Sequence, residues 1–285
     1  MTPRLRRPIA RRGVITNALT IDLEDWYHGV ELPPSRWSEF EDRLVPATQR
    51  LLEILDGSGV WATFFVLGDV AERHPGLVTE IHDRGHEIGT HGCSHRFVYE
   101  QGPDEFRADV RRSLALLEGC GCTDVIGHRA PYFSITQESL WALDVLAGLG
   151  LRYDSSIFPI SNYRYGIPGA RQWPHRVNLN GQSLVEFPIS TWRVAGRSVP
   201  VAGGAYFRLL PYAVTRRGIA TINRSGNPAV FYLHPWELDP AHPRIRLPRR
   251  IALTHYANLG ATERRLTRLL GEFSFAPVRE VLDVA

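Results

Sequence analysis

Four short clusters in the chain carry residue types able to do acid–base or metal chemistry. Asp22, Glu24 and Asp25 put three carboxylates into four positions, a concentration of charge that is costly unless a cation or an arginine offsets it. His91 and His95 lie four apart in Thr90-His91-Gly92-Cys93-Ser94-His95, which places both imidazoles on one side of a turn or helix start. With a carboxylate from the first cluster they would make a facial two-histidine, one-carboxylate site with positions left for water and substrate. Arg129, in Arg129-Ala130-Pro131-Tyr132, can clamp a carboxylate bidentately, with Pro131 fixing the turn. His234 ends the apolar run Phe231-Tyr232-Leu233 and opens His234-Pro235-Trp236-Glu237, where Trp236 offers a pocket wall or a ring to stack on a sugar. Taken singly, each cluster also has a structural use, as a cap, a charged loop or a loop salt bridge. Cys93 reads as a partly buried thiol, because no base is paired with it.

Such groups act together only if the fold converges them, and the spacing of apolar runs predicts one that does. Short runs rich in β-branched and aromatic residues alternate with helical patterns, which argues for βα units and a largely parallel sheet. Strands are predicted over residues 18–25, 61–67, 87–90, 125–127 and 151–154, with helices over 45–55, 69–84, 103–118 and 136–148. From about 157 to 227 the pattern loosens into Pro, Gly, Asn and aromatics, with 183–189 its one clear strand. We read this stretch as an irregular insertion before the last barrel strand, 229–233, which is followed by a C-terminal amphipathic helix over about 255–271. In βα proteins catalytic groups gather at the carboxyl ends of strands. Asp22, Glu24, Asp25, His91, His95, Arg129, Asp154 and His234 all fall at such ends.

Composition narrows the chemistry further. All 33 basic residues of the 285 are arginine, so Schiff-base, PLP and P-loop lysines are excluded. Net charge is +3, close to balance, which gives no footprint for nucleic acid. An N-terminal arm, 1–16, holds Arg4, Arg6, Arg7, Arg11 and Arg12 and reads as solvated; a single domain is expected over 17–285. Cys93, Cys120 and Cys122 are too few and too clustered for a disulfide framework. With no signal peptide or membrane span recognised, a cytoplasmic location is the expectation.

In this order the clusters resemble the NodB-homology polysaccharide deacetylases, the fourth family of carbohydrate esterases, over roughly residues 17–237. The resemblance implies a distorted (β/α)7-type barrel of the α/β class and a divalent metal, zinc foremost. It implies Asp22 as base, His91 and His95 as metal ligands, Arg129 as partner of the base, and His234 as acid. The usual adjacent aspartate pair is absent, so the third ligand is Glu24 or Asp25. Asp154, in Tyr153-Asp154-Ser155-Ser156, stands near the family's fourth motif, and Tyr132, Asp154 and Trp236 are the expected substrate contacts, the Tyr132 backbone N–H serving an oxyanion. The runs Ile21 to His28, Gly203 to Pro211 and His234 to Glu237 are similar to the subgroup associated with exosortase and exopolysaccharide loci. That implies an acetylated oligo- or polysaccharide as partner, in a bacterial exopolysaccharide or its lipid-linked precursor. Hydrolysis of another amide on the same fold, or carbohydrate binding without catalysis, are the rival readings.

Overall fold

The computed structural model describes residues 14–179 and 181–284; the basic arm falls outside them as far as residue 13. In chain order the elements are β1 (Thr16–Leu23), α1 (Leu44–Ser58), β2 (Thr63–Val66), α2 (Gly68–Arg73), α3 (Pro75–Asp83), β3 (Glu87–Thr90), α4 (Pro103–Gly119), β4 (Gly127–His128), α5 (Trp141–Gly148) and β5 (Tyr153–Asp154). There follow β6 (His175–Leu179), β7 (Gln182–Glu186), β8 (Thr191–Val194), β9 (Arg197–Pro200), α6 (Gly204–Leu209), α7 (Tyr212–Arg224) and β10 (Val230–Leu233). The chain ends in α8 (Arg249–Tyr256), α9 (Thr262–Glu272), β11 (Ser274–Ala276) and α10 (Val278–Leu282).

Seven strands, in the order β10-β1-β2-β3-β4-β5-β7, run parallel and curve into a distorted barrel, and β6 adds an antiparallel edge on β7. Both faces of these strands are covered, so β1, β2, β3 and β10 are buried along nearly their whole length, as parallel sheets require. The gap between β7 and β10 is spanned by residues 201–203: Val201 N donates to Ser190 O (3.3 Å), and Tyr232 N to Ala202 O (2.6 Å). Gly203 permits this seam. Its φ is +128°, and a Cβ there would lie 1.8 Å from the carbonyl oxygen of Tyr232, so any other residue would push the segment off β10.

Three predicted elements come out differently. The helix expected over 69–84 is broken into α2 and α3 because Pro75 lacks an N–H and drives His74 out of the helical region, to φ −129° and ψ 51°. The single C-terminal helix expected over about 255–271 is two, α8 and α9, separated at Asn258 in the left-handed conformation (φ 56°). The stretch 157–227 is more regular than its composition predicts: it supplies β7 to the barrel, two hairpins and the 13-residue α7. Helix α7 buries Thr215, Gly218, Ile219 and Ile222, a stripe that its interleaved arginines mask in the sequence.

The three cysteines are buried free thiols. No helix among the described residues is long and apolar enough to cross a membrane.

Candidate active site

Strand β1 delivers the carboxylates. Asp22 is paired with Phe65 of β2 and is 2% exposed; Glu24 follows one residue beyond the strand end, 3% exposed. The histidine pair is delivered by the turn after β3, which is a loop and not a helix start. Gly92 takes φ +71° and His95 φ 52°, and Asp109 of α4 holds the turn by accepting from Cys93 N (2.7 Å) and Ser94 N (3.1 Å). The His91 Nδ1–H donates to the carbonyl of Arg129 at 2.8 Å. That fixes its tautomer and leaves the Nε2 lone pair free. Burial brings the His91 ring down to about 4, against the pull of Asp22 and Glu24, so it stays neutral, as a metal ligand must.

Glu24, His91 and His95 each offer a ligand atom, all within 4.8 Å of one another. His95 Nε2 lies 3.1 Å from Glu24 Oε2, yet these two buried atoms and His95 Nδ1 find no hydrogen-bond partner among the described residues. Unpaired polar atoms at that depth are expensive, and a divalent cation satisfies a buried carboxylate and two imidazoles together. Burial works against the charge of Glu24, but His95 and His234 outweigh it and hold the carboxyl well below its ordinary range.

Asp25 is removed from the ligand set. Its carboxylate accepts from the backbone N–H groups of Trp26 (2.7 Å), Arg43 (2.8 Å) and Leu44 (3.1 Å), so it organises the turn after β1 and the start of α1.

Two buried ion pairs flank the triad. Arg129, fully buried, donates from Nη1 to Asp22 Oδ1 (2.8 Å) and Thr20 Oγ1 (2.6 Å), and from Nε and Nη2 to the carbonyl and hydroxyl of Ser155 (both 2.9 Å). Its guanidinium rests 4.4 Å over the Phe65 ring. Across the cleft, His234 Nδ1 is 2.8 Å from Glu237 Oε1, and its Nε2 is 3.1 Å from Glu24 Oε1 and 3.9 Å from Asp22 Oδ2. Burial lowers the His234 pKa, but Glu237 and Glu24 raise it more, to about 10. Burial raises that of Glu237, but Arg208 and His234 bring it down to about 2. Arg208 holds Glu237 through Nε at 2.6 Å and donates from Nη1 and Nη2 to the carbonyls of Thr254, His255 and Ala257.

Removing Arg129 should cost far more than a surface charge. Arg129→Ala leaves the Asp22 carboxylate buried without its counter-charge, and breaking such a pair destabilises by about 3–5 kcal/mol. Denaturant unfolding of metal-free protein checks this; a loss below about 1 kcal/mol would mean that Asp22 finds another partner.

Of the expected substrate contacts, Tyr132 lines the cleft, with its hydroxyl donating to His28 O (2.7 Å) and its backbone in the left-handed region at φ 55°. Asp154 does not reach the cleft. It is fully buried, 2.6 Å from His128 Nδ1 and 2.7 Å from Ser156 Oγ, and it serves the site indirectly: Ser155 holds Arg129, and Ser156 Oγ accepts from Ala130 N (2.8 Å). Trp236 borders the cleft but is 5% exposed, stacked between His234 and His255 with centroids 5.3 and 4.3 Å away. Its faces are therefore closed to a sugar ring, and the open aromatic surface at the cleft belongs to Tyr163, 57% exposed. Sequence reasoning passed over Glu237, Arg208 and Asp109. Glu237 had a signal, three residues after His234 in a short turn, and Arg208 stands in the run Gly203 to Pro211 that carries the resemblance; Asp109 had none beyond residue type.

The cleft has a volume of about 320 Å³, within the range of small-ligand sites. The molecule is thus an α/β barrel with a buried two-histidine, one-carboxylate centre between two ion pairs at the carboxyl ends of its strands. Residues 33–153 match the family model for polysaccharide deacetylase, and residues 155–283 match a domain of unknown function, DUF3473. A peptidoglycan-N-acetylglucosamine deacetylase of Bacillus cereus is 34% identical over 98 residues, covering 34% of this chain and 36% of that protein. A chitooligosaccharide deacetylase of Sinorhizobium fredii is 33% identical over 119 residues, 40% of this chain and 51% of that one. The matches thus span between a third and about half of those relatives. Among solved structures, a Mycobacterium smegmatis protein assigned as a polysaccharide deacetylase superposes with a TM-score of 0.67 at 20% identity, covering 98% of this chain and 93% of the other. A family 4 carbohydrate esterase of Streptomyces lividans gives 0.50 at 18% identity, covering 92% and 91%. The family match thus covers residues 33–153, and the superpositions show that the whole chain shares the fold of these proteins.

Proposed function

We propose that the protein hydrolyses the acetamide of an N-acetylated sugar in a bacterial exopolysaccharide or its lipid-linked precursor, releasing acetate and a free amino sugar. The observation that carries this reading is the pairing of a carboxylate held by arginine with an imidazole held by a carboxylate, on either side of one metal-ligand triad. Binding alone does not call for a matched base and acid. Glu24, His91 and His95 would hold a divalent metal, zinc by ligand type, which supplies a Lewis acid for the acetamide carbonyl and lowers the pKa of water.

The chain's own residues do the rest. Asp22 Oδ1 is committed to Arg129, so Oδ2, the oxygen nearer His234, takes the proton of the attacking water. The Tyr132 backbone N–H would donate to the oxyanion that forms, and His234 Nε2 gives a proton to the amine as the C–N bond breaks. The exposed Tyr163 at the mouth favours an extended sugar substrate over a small cyclic amide. Similarity of three sequence runs to the exosortase-associated subgroup supports an exopolysaccharide substrate.

Mass spectrometry of acetylated oligosaccharides incubated with metal-loaded protein tests this reading: each turnover removes one acetyl mass, and no loss from any acetylated oligosaccharide would overturn it. In the same preparation His91→Ala and His95→Ala should each lose the bound metal, read by elemental analysis. Wild-type metal content in both would take the triad out of the reading.

A further inference from the structure

At the mouth of the cleft two arginines meet over one tyrosine, with a single carboxylate, Glu31, between them for charge balance. Tyr163 stands between Arg164, whose guanidinium carbon is 5.3 Å from the ring centroid, and Arg250 of α8, at 4.0 Å. All three line the same cavity as Asp22, His91 and His234. Arg164 pairs with Glu31, but its Nε is buried and finds no acceptor among the described residues. Arg250 forms no ion pair with any described carboxylate. The third arginine of the cleft, Arg208, already has each guanidinium nitrogen engaged by Glu237 or a backbone carbonyl and its charge matched by Glu237, so it is the least suited of the three to hold an anion. The cavity's own carboxylates, Asp22 and Glu24, lie on the floor and are committed to Arg129, His95 and His234.

Two guanidinium groups converging on one ring repel each other, and a buried donor without an acceptor costs free energy. An anion between them relieves both at once, and arginine forks suit the planar oxygens of a carboxylate or the tetrahedral ones of a phosphate. We propose that the substrate carries an oxyanion next to the acetylated sugar, a uronate carboxylate of the polymer or a phosphate of a lipid diphosphate, and that Arg250 and Arg164 bind it while Tyr163 packs against the adjoining ring. This names the substrate class of the deacetylase reading and rests on it. The position is a specificity site: the side-chain partners of the two arginines are Glu31, Tyr132 and Tyr163, and not the metal-ligand triad, Asp22 or His234.

The test uses the metal-loaded full chain at low salt with three acetylated substrates of similar length: a neutral N-acetylglucosamine tetramer, a tetramer alternating N-acetylglucosamine with glucuronate, and a short-prenyl diphosphate N-acetylglucosamine disaccharide. Acetate release is measured beside calorimetric binding of two probes without acetyl groups, a glucuronate tetramer and inorganic pyrophosphate. The expected result is a preference of about tenfold or more in kcat/KM for one anionic substrate over the neutral one, the size of one charge-assisted contact. It should be matched by binding of the corresponding probe and abolished in Arg250→Glu. Preference for the glucuronate substrate and probe assigns the carboxylate; preference for the diphosphate pair assigns the phosphate. Arg250→Gln, which removes the positive charge without introducing a negative one, should lose most of the preference at an unchanged melting temperature, separating charge from folding. Equal kcat/KM on all three substrates, or an anion preference that survives Arg250→Glu, would overturn the proposal while the deacetylase reading stood. Absence of acetate from every substrate, with probe binding still lost in Arg250→Glu, would sink the deacetylase reading and leave the anion site.

Discussion

Asp22→Asn is expected to lower kcat by about 10²- to 10⁴-fold, the range for loss of a positioned general base, with metal content unchanged. The amide keeps the shape of the carboxylate and an oxygen for Arg129 to donate to, so Arg129 stays on its other partners, Thr20 Oγ1 and the carbonyl and hydroxyl of Ser155. What it loses is the lone pair basic enough to take a proton, together with the charge opposite a buried guanidinium. Some stability goes with that charge, so kcat is to be taken per folded molecule, with the melting temperature measured on the same sample. The ligand side supplies the contrast: Glu24→Gln should strip the metal. If Asp22→Asn lost the metal while Glu24→Gln kept it, the two roles would have to be exchanged.

Mutation of the acid should give an effect of the same size with a different signature. His234→Ala removes the group facing the departing amine, and kcat should fall by about 10²- to 10⁴-fold, while metal content and binding of an acetylated oligosaccharide stay near wild type. A variant that melts lower but turns over normally per folded molecule would make His234 a structural residue. Glu237 sharpens the test through pH. Two carboxylates hold the proton on His234, whose ordinary value of 6.5 rises to about 10, so the imidazolium persists across neutral pH and kcat should fall on the alkaline side as that proton leaves. A metal on Glu24 would compete with His234 for that carboxylate, leaving Glu237 as the main support of the charge. Glu237→Gln removes that support and should move the limb down, toward the ordinary histidine range. The linked stability has the matching sign. A raised pKa contributes stability that is fully present below about 6.5 and is lost as pH rises through the folded value. Glu237→Gln also leaves Arg208 buried without a counter-ion, at a cost of about 3–5 kcal/mol, so the pH profile is to be recorded well below the variant's melting temperature. An alkaline limb that did not move would detach Glu237 from the acid.

Much of this centre is legible in the sequence because the pattern of a buried strand and the residue that ends it are local matters. Parallel strands buried on both faces write themselves as short apolar runs, and each run here ends in the polar residue it delivers: Asp22 in β1, His91 after β3, Arg129 after β4, His234 after β10. The alternation of those runs with helical patterns is enough to place all four residues at one end of a barrel. Boundaries were less legible where one residue overrides a periodic pattern, as Pro75 does between α2 and α3 and Asn258 does between α8 and α9.

What tertiary structure alone decided is which neighbour each polar group faces. Glu24 and Asp25 are adjacent and chemically alike, yet one carboxylate joins His95 and His234 while the other accepts three backbone N–H groups. The direction in which the chain leaves β1 separates them, and residue type does not encode that direction. Trp236 reads as a pocket wall or a ring to stack on a sugar, and the second use is closed by His255, from a helix that begins 16 positions after the strand end. Arg208 and Arg250 each take their meaning from partners about 30 to 90 residues away, Glu237 for one and Tyr163 for the other. A sequence can supply an arginine anywhere at little cost. Whether that arginine serves as a buried strut or as an unsatisfied cation at the rim of a cleft depends on long-range packing, because only the folded chain fixes which carboxylates and carbonyls come within reach of it.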